Sequence, residues 1–166
     1  MRFADRPTAR VTVAVAAPPE IVWGICTDLT RFGEWSPENR GGRWADDAGP
    51  GLGARFHGVQ EHPGRGRWET ECVVTRFDRP AAFEWRLGEP DDPGAVWGFE
   101  LASDAGGTRL TEYVQMGPGP SGITDVIAKM PDKEERIIER RLAEYDAGMR
   151  AVLEGIKAAS EAAVGR

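Results

Sequence analysis

The sequence contains few of the residues that mark disulfide-rich, metal-binding or exported proteins. Among its 166 residues are two cysteines, Cys26 and Cys72, and two histidines, His57 and His62. Two cysteines cannot form a disulfide framework, and the two histidines lack acidic ligands at the fixed spacing of a metal site. We therefore expect reduced cysteines in the core, no metal ion and no cofactor. Residues 1–7 lack the apolar segment of a signal peptide, which favours a cytoplasmic protein.

Basic clusters and long apolar segments are also missing. The formal net charge is −6, whereas binding to a nucleic-acid backbone needs clustered Lys and Arg. We therefore expect no nucleic-acid partner. No apolar run approaches the roughly 20 residues of a membrane-spanning helix, so we expect no membrane insertion. The length fits a single domain, residues 1–166, with enough interior for a core and a cavity. Both a monomer and a homodimer are compatible with this composition.

What the sequence does contain is a series of short segments with the two-residue period of β-strands. Residues 9–16 predict the first strand. Pro18, Pro19 and Glu20 then begin a short helix, because proline is tolerated in the first helical turn, and a second short helix is predicted over 29–35. Further strands are predicted at 43–44, 54–59, 67–77, 82–87, 96–102 and 108–116. The connections are too short to hold crossover helices, so consecutive strands should pair antiparallel.

The C-terminal region predicts one long helix over residues 132–159, about 42 Å long at 1.5 Å per residue. Asp132 followed by Glu135 fits a capping box at its start. Its apolar positions form one stripe: Ile138, Leu142, Tyr145, Met149, Val152 and Ile156. The inner face of the sheet is the apolar surface that can cover this stripe. A coiled-coil dimer is the alternative, although the stripe spans few heptads.

Several short segments resemble a known superfamily in their order and spacing. They are residues 17–23, 28–32, 35–37, 53–56, 68–70, 83–86, 107–111 and the terminal helix. Together they resemble the START-related, birch-pollen-allergen-like (SRPBCC) superfamily and, within it, the polyketide cyclase/dehydrase-like branch. The resemblance implies an α+β helix-grip fold, in which a curved antiparallel sheet of six or seven strands wraps around the long C-terminal helix. This superfamily includes cyclases, lipid and quinone carriers, receptors and stress proteins, so the fold does not decide the function.

A concave sheet closed by a helix predicts an apolar cavity for a small molecule. The alternative is that its aromatic side chains pack on one another as an ordinary core. We predict that the protein binds a hydrophobic, aromatic or polycyclic small molecule, including lipid-like ones, as a carrier or ligand-binding protein. The predicted ligand-binding residues are Trp35, Phe56, Trp68, Thr70, Cys72, Phe83, Trp85, Trp97, Phe99, Leu142, Tyr145 and Met149.

The last strand holds two candidate catalytic residues on opposite faces, Glu112 and Tyr113. If the apolar phase of Leu110 and Val114 faces the cavity, burial raises the pKa of Glu112 and suits it to acid/base chemistry. In the opposite phase, Tyr113 enters the cavity. An ion pair with an arginine is the structural alternative for Glu112. The alternative function is therefore a polyketide cyclase/dehydratase that uses Glu112 or Tyr113, and a third is a protein-interaction domain such as a chaperone activator.

One motif, Gly-x-Gly-x-x-Gly at residues 117–122, is typical of dinucleotide-binding proteins. That fingerprint requires a parallel strand–helix–strand unit and free backbone amides. Here no strand follows, and Pro118 and Pro120 each remove an amide. We interpret the segment as a loop, and its position favours a lid over the cavity mouth.

Overall fold

The computed structural model describes residues 1–45, 47 and 49–165. Strand β1 (Thr8–Val15) is followed by helix α1 (Pro19–Cys26) and a 3₁₀ helix (Leu29–Glu34). Proline at the start of α1 agrees with the predicted helix start. Helices α2 (Gly122–Lys129) and α3 (Glu134–Val164) end the chain. Between the 3₁₀ helix and α2 lie the strands β2 (Asn39–Trp44), β3 (Arg55–His62), β4 (Gly66–Asp78), β5 (Ala82–Leu87), β6 (Ala95–Asp104) and β7 (Gly107–Met116).

The seven strands form one sheet in the order β1-β7-β6-β5-β4-β3-β2. Every pair is antiparallel, as the short connections predicted. The register shifts between Asn39 and Gly42 in β2 and between Val74 and Arg76 in β4. Such irregularities bend a strand and increase its twist, which helps the sheet to curl. The helix-grip fold predicted from the sequence is confirmed.

Helix α3 packs in the concave face, where it contacts β1, α1 and β7. Its buried residues include Ile138, Met149, Val152 and Ile156 of the predicted stripe. Leu153 and Ser160 are buried with them. The stripe is thus covered within this chain by the sheet and α1, in agreement with the predicted docking.

The predicted capping box at Asp132 is wrong. A 3₁₀ turn (Pro131–Lys133) comes first, α3 begins at Glu134, and its N-cap residue has no side-chain cap hydrogen bond. The acids of the first turn instead bind the N-terminal segment. The Phe3 amide donates to Glu134 Oε1 at 2.8 Å, and the amino group of Met1 lies 3.0 Å from Glu135 Oε1. Contacts made across the fold have therefore replaced the local cap.

Helix α3 also continues beyond the predicted end at residue 159, to Val164. Glu161 lies in this additional turn, accepts a hydrogen bond from the Ala16 amide at 2.9 Å and pairs with Lys157. The contact with the end of β1 therefore supports the final turn of the helix.

Candidate functional site

A cavity of about 360 Å³ lies between α3 and the inner face of the sheet. This volume is in the range of small-molecule sites in proteins. Aromatic side chains form much of its wall, and Met149 and Val152 face them from α3. The aromatic lining residues are Phe32, Phe56, Trp68, Trp85, Trp97, Phe99 and Tyr145.

The lining rings are packed edge to face or tilted rather than stacked flat. Phe56 lies 6.1 Å from Trp85, between ring centroids, and Trp85 lies 5.9 Å from Phe99. Trp97 makes a T-shaped contact with Tyr145 at 5.1 Å. These contacts set the orientation of each ring, so the wall is formed before any ligand enters.

Most of the predicted ligand-binding residues line this cavity. From the sheet these are Phe56, Trp68, Thr70, Cys72, Trp85, Trp97 and Phe99, and from α3 they are Tyr145 and Met149. Both cysteines are free and buried, and Cys72 is in addition a lining residue.

Three predicted residues lie elsewhere. Phe83 is fully buried behind the wall, where its ring packs on Trp23, Phe77 and Trp85. Trp35 packs against α3 at Gly155, since a Cβ atom there would lie 2.1 Å from Trp35 Cγ. Leu142 is half-buried and does not line the cavity. The lining residue one turn before Tyr145 is Arg141.

Glu112 lies on the cavity side of β7. Its strand neighbours are Phe99 on β6 and Val11 on β1, and only 6% of the residue is exposed. Its Oε2 atom has no hydrogen-bond partner. Burial raises the pKa of Glu112 from its ordinary 4.5 to about 8, because an apolar surrounding disfavours the carboxylate. The carboxyl group is therefore mostly protonated at pH 7.

Tyr113 lies on the opposite face of the sheet. Its hydroxyl donates to Glu84 Oε2 at 2.8 Å, and the Arg10 guanidinium lies 5.3 Å from its ring centroid. Gly98 makes room for this ring, because a Cβ atom there would lie 2.4 Å from the tyrosine oxygen. The structure thus places Glu112, and not Tyr113, on the cavity side.

A charged cluster that the sequence analysis did not predict lies at the mouth of the cavity. The Arg141 guanidinium donates two hydrogen bonds to Glu38, at 2.8 and 2.5 Å, and one to Glu144 at 2.9 Å. It also lies 4.4 Å from the centroid of the Tyr145 ring. His62 Nε2 lies 3.4 Å from Glu144 Oε2. The i,i+3 spacing of Arg141 and Glu144 was the available signal in the sequence, but Glu38 and His62 join only through the fold.

The β3–β4 hairpin and the start of α2 meet over this mouth. The Arg65 guanidinium lies 4.1 Å from the centroid of the Trp68 ring, and its Nη1 atom occupies the space that a Cβ atom on Gly122 would need. The loop before α2 is held in place by the β5–β6 connection, because the amides of Gly117 and Gly119 donate to Gly94 and Pro93 at 2.9 and 2.8 Å. The loop is anchored at these points, and its role as a lid stays a prediction.

No group of three or more His, Cys, Asp or Glu side chains in the described part of the chain is placed to hold a metal ion. Over the same residues, no helix has the length and apolar character needed to cross a bilayer.

Similar proteins share this fold and much of this length. The family model for polyketide cyclase/dehydrase and lipid transport matches residues 6–161. A polyketide-cyclase-like protein, Cgl2372 from Corynebacterium glutamicum, is 31% identical, with 90% of this chain and 88% of that chain covered and a TM-score of 0.65. No functionally curated protein matches the sequence.

Two more distant structures share the fold alone. The di-domain aromatase/cyclase (ARO/CYC) StfQ of the steffimycin biosynthetic pathway is 14% identical, with 96% of this chain covered and a TM-score of 0.71; the chain spans about half, 52%, of that protein. An AHSA1-like protein from Aeromonas hydrophila is 19% identical, with 95% of this chain and 94% of that chain covered and a TM-score of 0.60.

Proposed function

Because this chain belongs to the polyketide cyclase/dehydrase and lipid-transport family, we propose that it binds a hydrophobic, aromatic or polycyclic small molecule beneath α3. The observation that carries the proposal is the cavity of about 360 Å³ with its wall of aromatic rings. An apolar space of this size favours a guest that removes its own apolar surface from water. Flat rings suit such a wall, because aromatic pairs gain energy from edge-to-face contact beyond the area they bury.

The mouth is polar, which supports a ligand with an apolar body and one end near water. Glu38 and Glu144 are half-buried, and both pair with the Arg141 guanidinium. Thr70 and Gln60 are also occupied with each other, since the threonine hydroxyl donates to the amide oxygen at 3.1 Å. These side chains leave the apolar interior as the main source of affinity.

The proposal is tested by filling the cavity. Gly58 lies on the inner face of β3 and lines the cavity, and a Cβ atom there meets only the flexible Gln60 side chain within 3.4 Å. Gly58→Leu therefore adds an isobutyl group to the interior. Gly24 is exposed on α1 with open space around it, so Gly24→Leu is the matched control outside the cavity.

The probe is 6-propionyl-2-dimethylaminonaphthalene, whose emission shifts to the blue in apolar surroundings. We expect one-to-one binding to the wild type and to Gly24→Leu, and a loss of at least tenfold in affinity for Gly58→Leu. Native mass spectrometry of the protein as purified then shows whether a compound from the cell occupies the site. Equal binding by both variants, or a wild type that never binds the probe, would contradict the proposed function.

A second candidate function is a polyketide cyclase or dehydratase with Glu112 as the acid/base group. The observation that favours it is the buried carboxyl on the cavity wall with a pKa of about 8, close to the pH at which a general acid or base works best. Most of the acceleration would come from holding a flexible chain in a reactive conformation, and the carboxyl would add about 10²–10⁴-fold. Tyr113 does not line the cavity.

The enzyme reading is tested with a linear poly-β-ketone thioester, which is followed by absorbance as an aromatic ring forms. Turnover by the wild type that disappears in Glu112→Gln, while the naphthalene probe still binds, is the result that supports catalysis. If the wild type shows no turnover, the enzyme function is rejected and the binding function remains. The protein-interaction domain stays a prediction.

A further inference from the structure

We propose that the ligand carries a neutral hydrogen-bond acceptor oxygen at its inner end, and that the Glu112 carboxyl donates a hydrogen bond to it. This inference rests on the proposed binding function and names the chemical class that the cavity selects. It goes further than hydrophobic binding because it assigns one polar contact, one residue and one orientation of the ligand.

The first observation is a carboxyl side chain on the cavity wall with one oxygen that has no hydrogen-bond partner. Buried polar groups in folded proteins almost always have a partner, and leaving one without a partner costs free energy. Glu112 Oε2 has none, although the residue is 94% buried and lines the cavity. Of the described lining residues, Ser121 alone shares this condition with Glu112, and Ser121 belongs to the mouth. A ligand atom is the partner that the interior of the cavity lacks.

The second observation is that the side chains next to the carboxyl on the sheet are uncharged. Its neighbours on β1 and β6 are Val11 and Phe99, and the flanking positions of β7 on the same face are Leu110 and Val114. From α1, the thiol of Cys26 is close enough for its pKa to be raised by Glu112 as well as by burial. Burial by itself accounts for the raised pKa of Glu112. Within the described chain, no arginine or lysine therefore pairs with it.

The protonation state decides which ligand atom fits. A protonated carboxyl has one O–H to donate, and a neutral acceptor such as a carbonyl oxygen accepts this hydrogen bond without bringing a charge into the apolar interior. Binding of an ammonium group would require both the ammonium and the Glu112 carboxylate to lose their hydration. This costs free energy unless other groups stabilise the two charges. A pure hydrocarbon would leave the carboxyl without a partner. The cavity should accordingly prefer the neutral acceptor over both.

The orientation follows from where the charged groups lie. Arg141, Glu38 and Glu144 are at the mouth, and the β3–β4 hairpin meets α2 there. Glu112 is on β7, an interior strand with β1 and β6 on either side. The oxygen that meets Glu112 therefore belongs to the inner end of the guest, and any solubilising group points to the mouth.

The experiment compares three molecules of similar shape: 2-acetylnaphthalene, the hydrocarbon 2-isopropenylnaphthalene and the cation 1-(2-naphthyl)ethylamine. Affinities are measured by intrinsic tryptophan fluorescence at pH 6.5 for the wild type, Glu112→Leu and Glu112→Gln. We expect the wild type to prefer the ketone over the hydrocarbon by roughly five- to tenfold, the effect of one neutral hydrogen bond. Glu112→Leu should lose this preference. Glu112→Gln should keep it, because the amide still donates.

A pH series and a labelled ligand add two further readouts. As pH rises through the pKa of about 8, ketone affinity of the wild type should fall, while that of Glu112→Gln should not. The carbonyl carbon of ¹³C-labelled 2-acetylnaphthalene should shift downfield on binding to the wild type, as expected for a hydrogen-bonded ketone.

The outcomes separate this inference from the function on which it rests. Equal affinity of the wild type for ketone and hydrocarbon, a preference that survives in Glu112→Leu, tightest binding of the amine, or an unshifted carbonyl carbon would each overturn the inference and leave hydrophobic binding in place. If the wild type binds none of the three naphthalenes, the proposed function itself fails.

Discussion

Replacing Glu112 by glutamine should change how the stability of the protein depends on pH. In the folded state, burial raises the pKa of Glu112 from 4.5 to about 8. Below pH 4.5 the group is protonated in both the folded and the unfolded chain. Between pH 4.5 and 8 the unfolded chain releases the proton and the folded chain keeps it. The unfolded state then binds fewer protons, so the free energy of unfolding falls as pH rises.

The size of the effect follows from the two pKa values. Each pH unit inside the window costs about 1.4 kcal/mol for one group. From pH 5.0 to 7.5 the wild type should therefore lose about 3 kcal/mol of stability through this side chain. Glu112→Gln keeps the shape of the protonated carboxyl but cannot ionise. The variant should gain about 3 kcal/mol relative to the wild type over that range, equivalent to about 6–12 °C in Tm.

The assay is urea unfolding followed by tryptophan fluorescence at half-unit steps from pH 5.0 to 7.5. The matched control is Glu154→Gln, which changes an exposed carboxylate on α3 and should run parallel to the wild type. Parallel curves for the wild type and Glu112→Gln would refute the argument, because they would mean that Glu112 titrates alike in the folded and unfolded chain. A wild type that becomes relatively more stable as pH rises would refute it as well.

Three further substitutions test the contacts around the site. Tyr113→Phe removes the hydrogen bond to Glu84 and should cost about 1 kcal/mol in urea unfolding, with probe affinity unchanged. Arg141→Met leaves the Glu38 carboxylate without its partner; we expect a loss of about 1–3 kcal/mol and faster probe release in stopped-flow fluorescence. Gly155→Ala places a methyl group in the Trp35 ring, and this overpacking should cost about 1–3 kcal/mol and alter near-UV circular dichroism. Wild-type values in these assays would contradict the respective contact.

Local patterns were sufficient for the type and order of the strands and of the long helix, because short segments reveal their own period. The alternation in residues 82–87 predicted β5 with the bounds that the structure shows. The stripe of α3 predicted a helix that docks on the sheet, and Ile138, Met149 and Ile156 are buried there. The start of α3 was mispredicted, since Glu134 and Glu135 bind Phe3 and Met1, more than 130 residues earlier in the chain. A local capping pattern contains no information about contacts with residues so distant in the sequence.

The site depended more on tertiary structure. Phe83 and Trp85 share one face of β5, and periodicity treats them alike, yet Phe83 lies behind the cavity wall and Trp85 lines it. Their difference comes from the position along a curved sheet at which α1 and its Trp23 cover the strand. Trp35 was predicted to bind the ligand, but the absence of a side chain at Gly155 lets its ring pack on α3 instead.

By itself the sequence predicted that six or seven antiparallel strands and a long amphipathic helix share one apolar interior, because the period of each segment separates an apolar face from a polar one. Only tertiary structure decided that Glu112 enters this interior while Tyr113 bonds to Glu84 outside it. The alternation in β7 separates the two residues, but the pairing of β7 between β1 and β6 selects the phase. The partners of Arg141 likewise come together because folding brings Glu38 to α3 from 103 residues away.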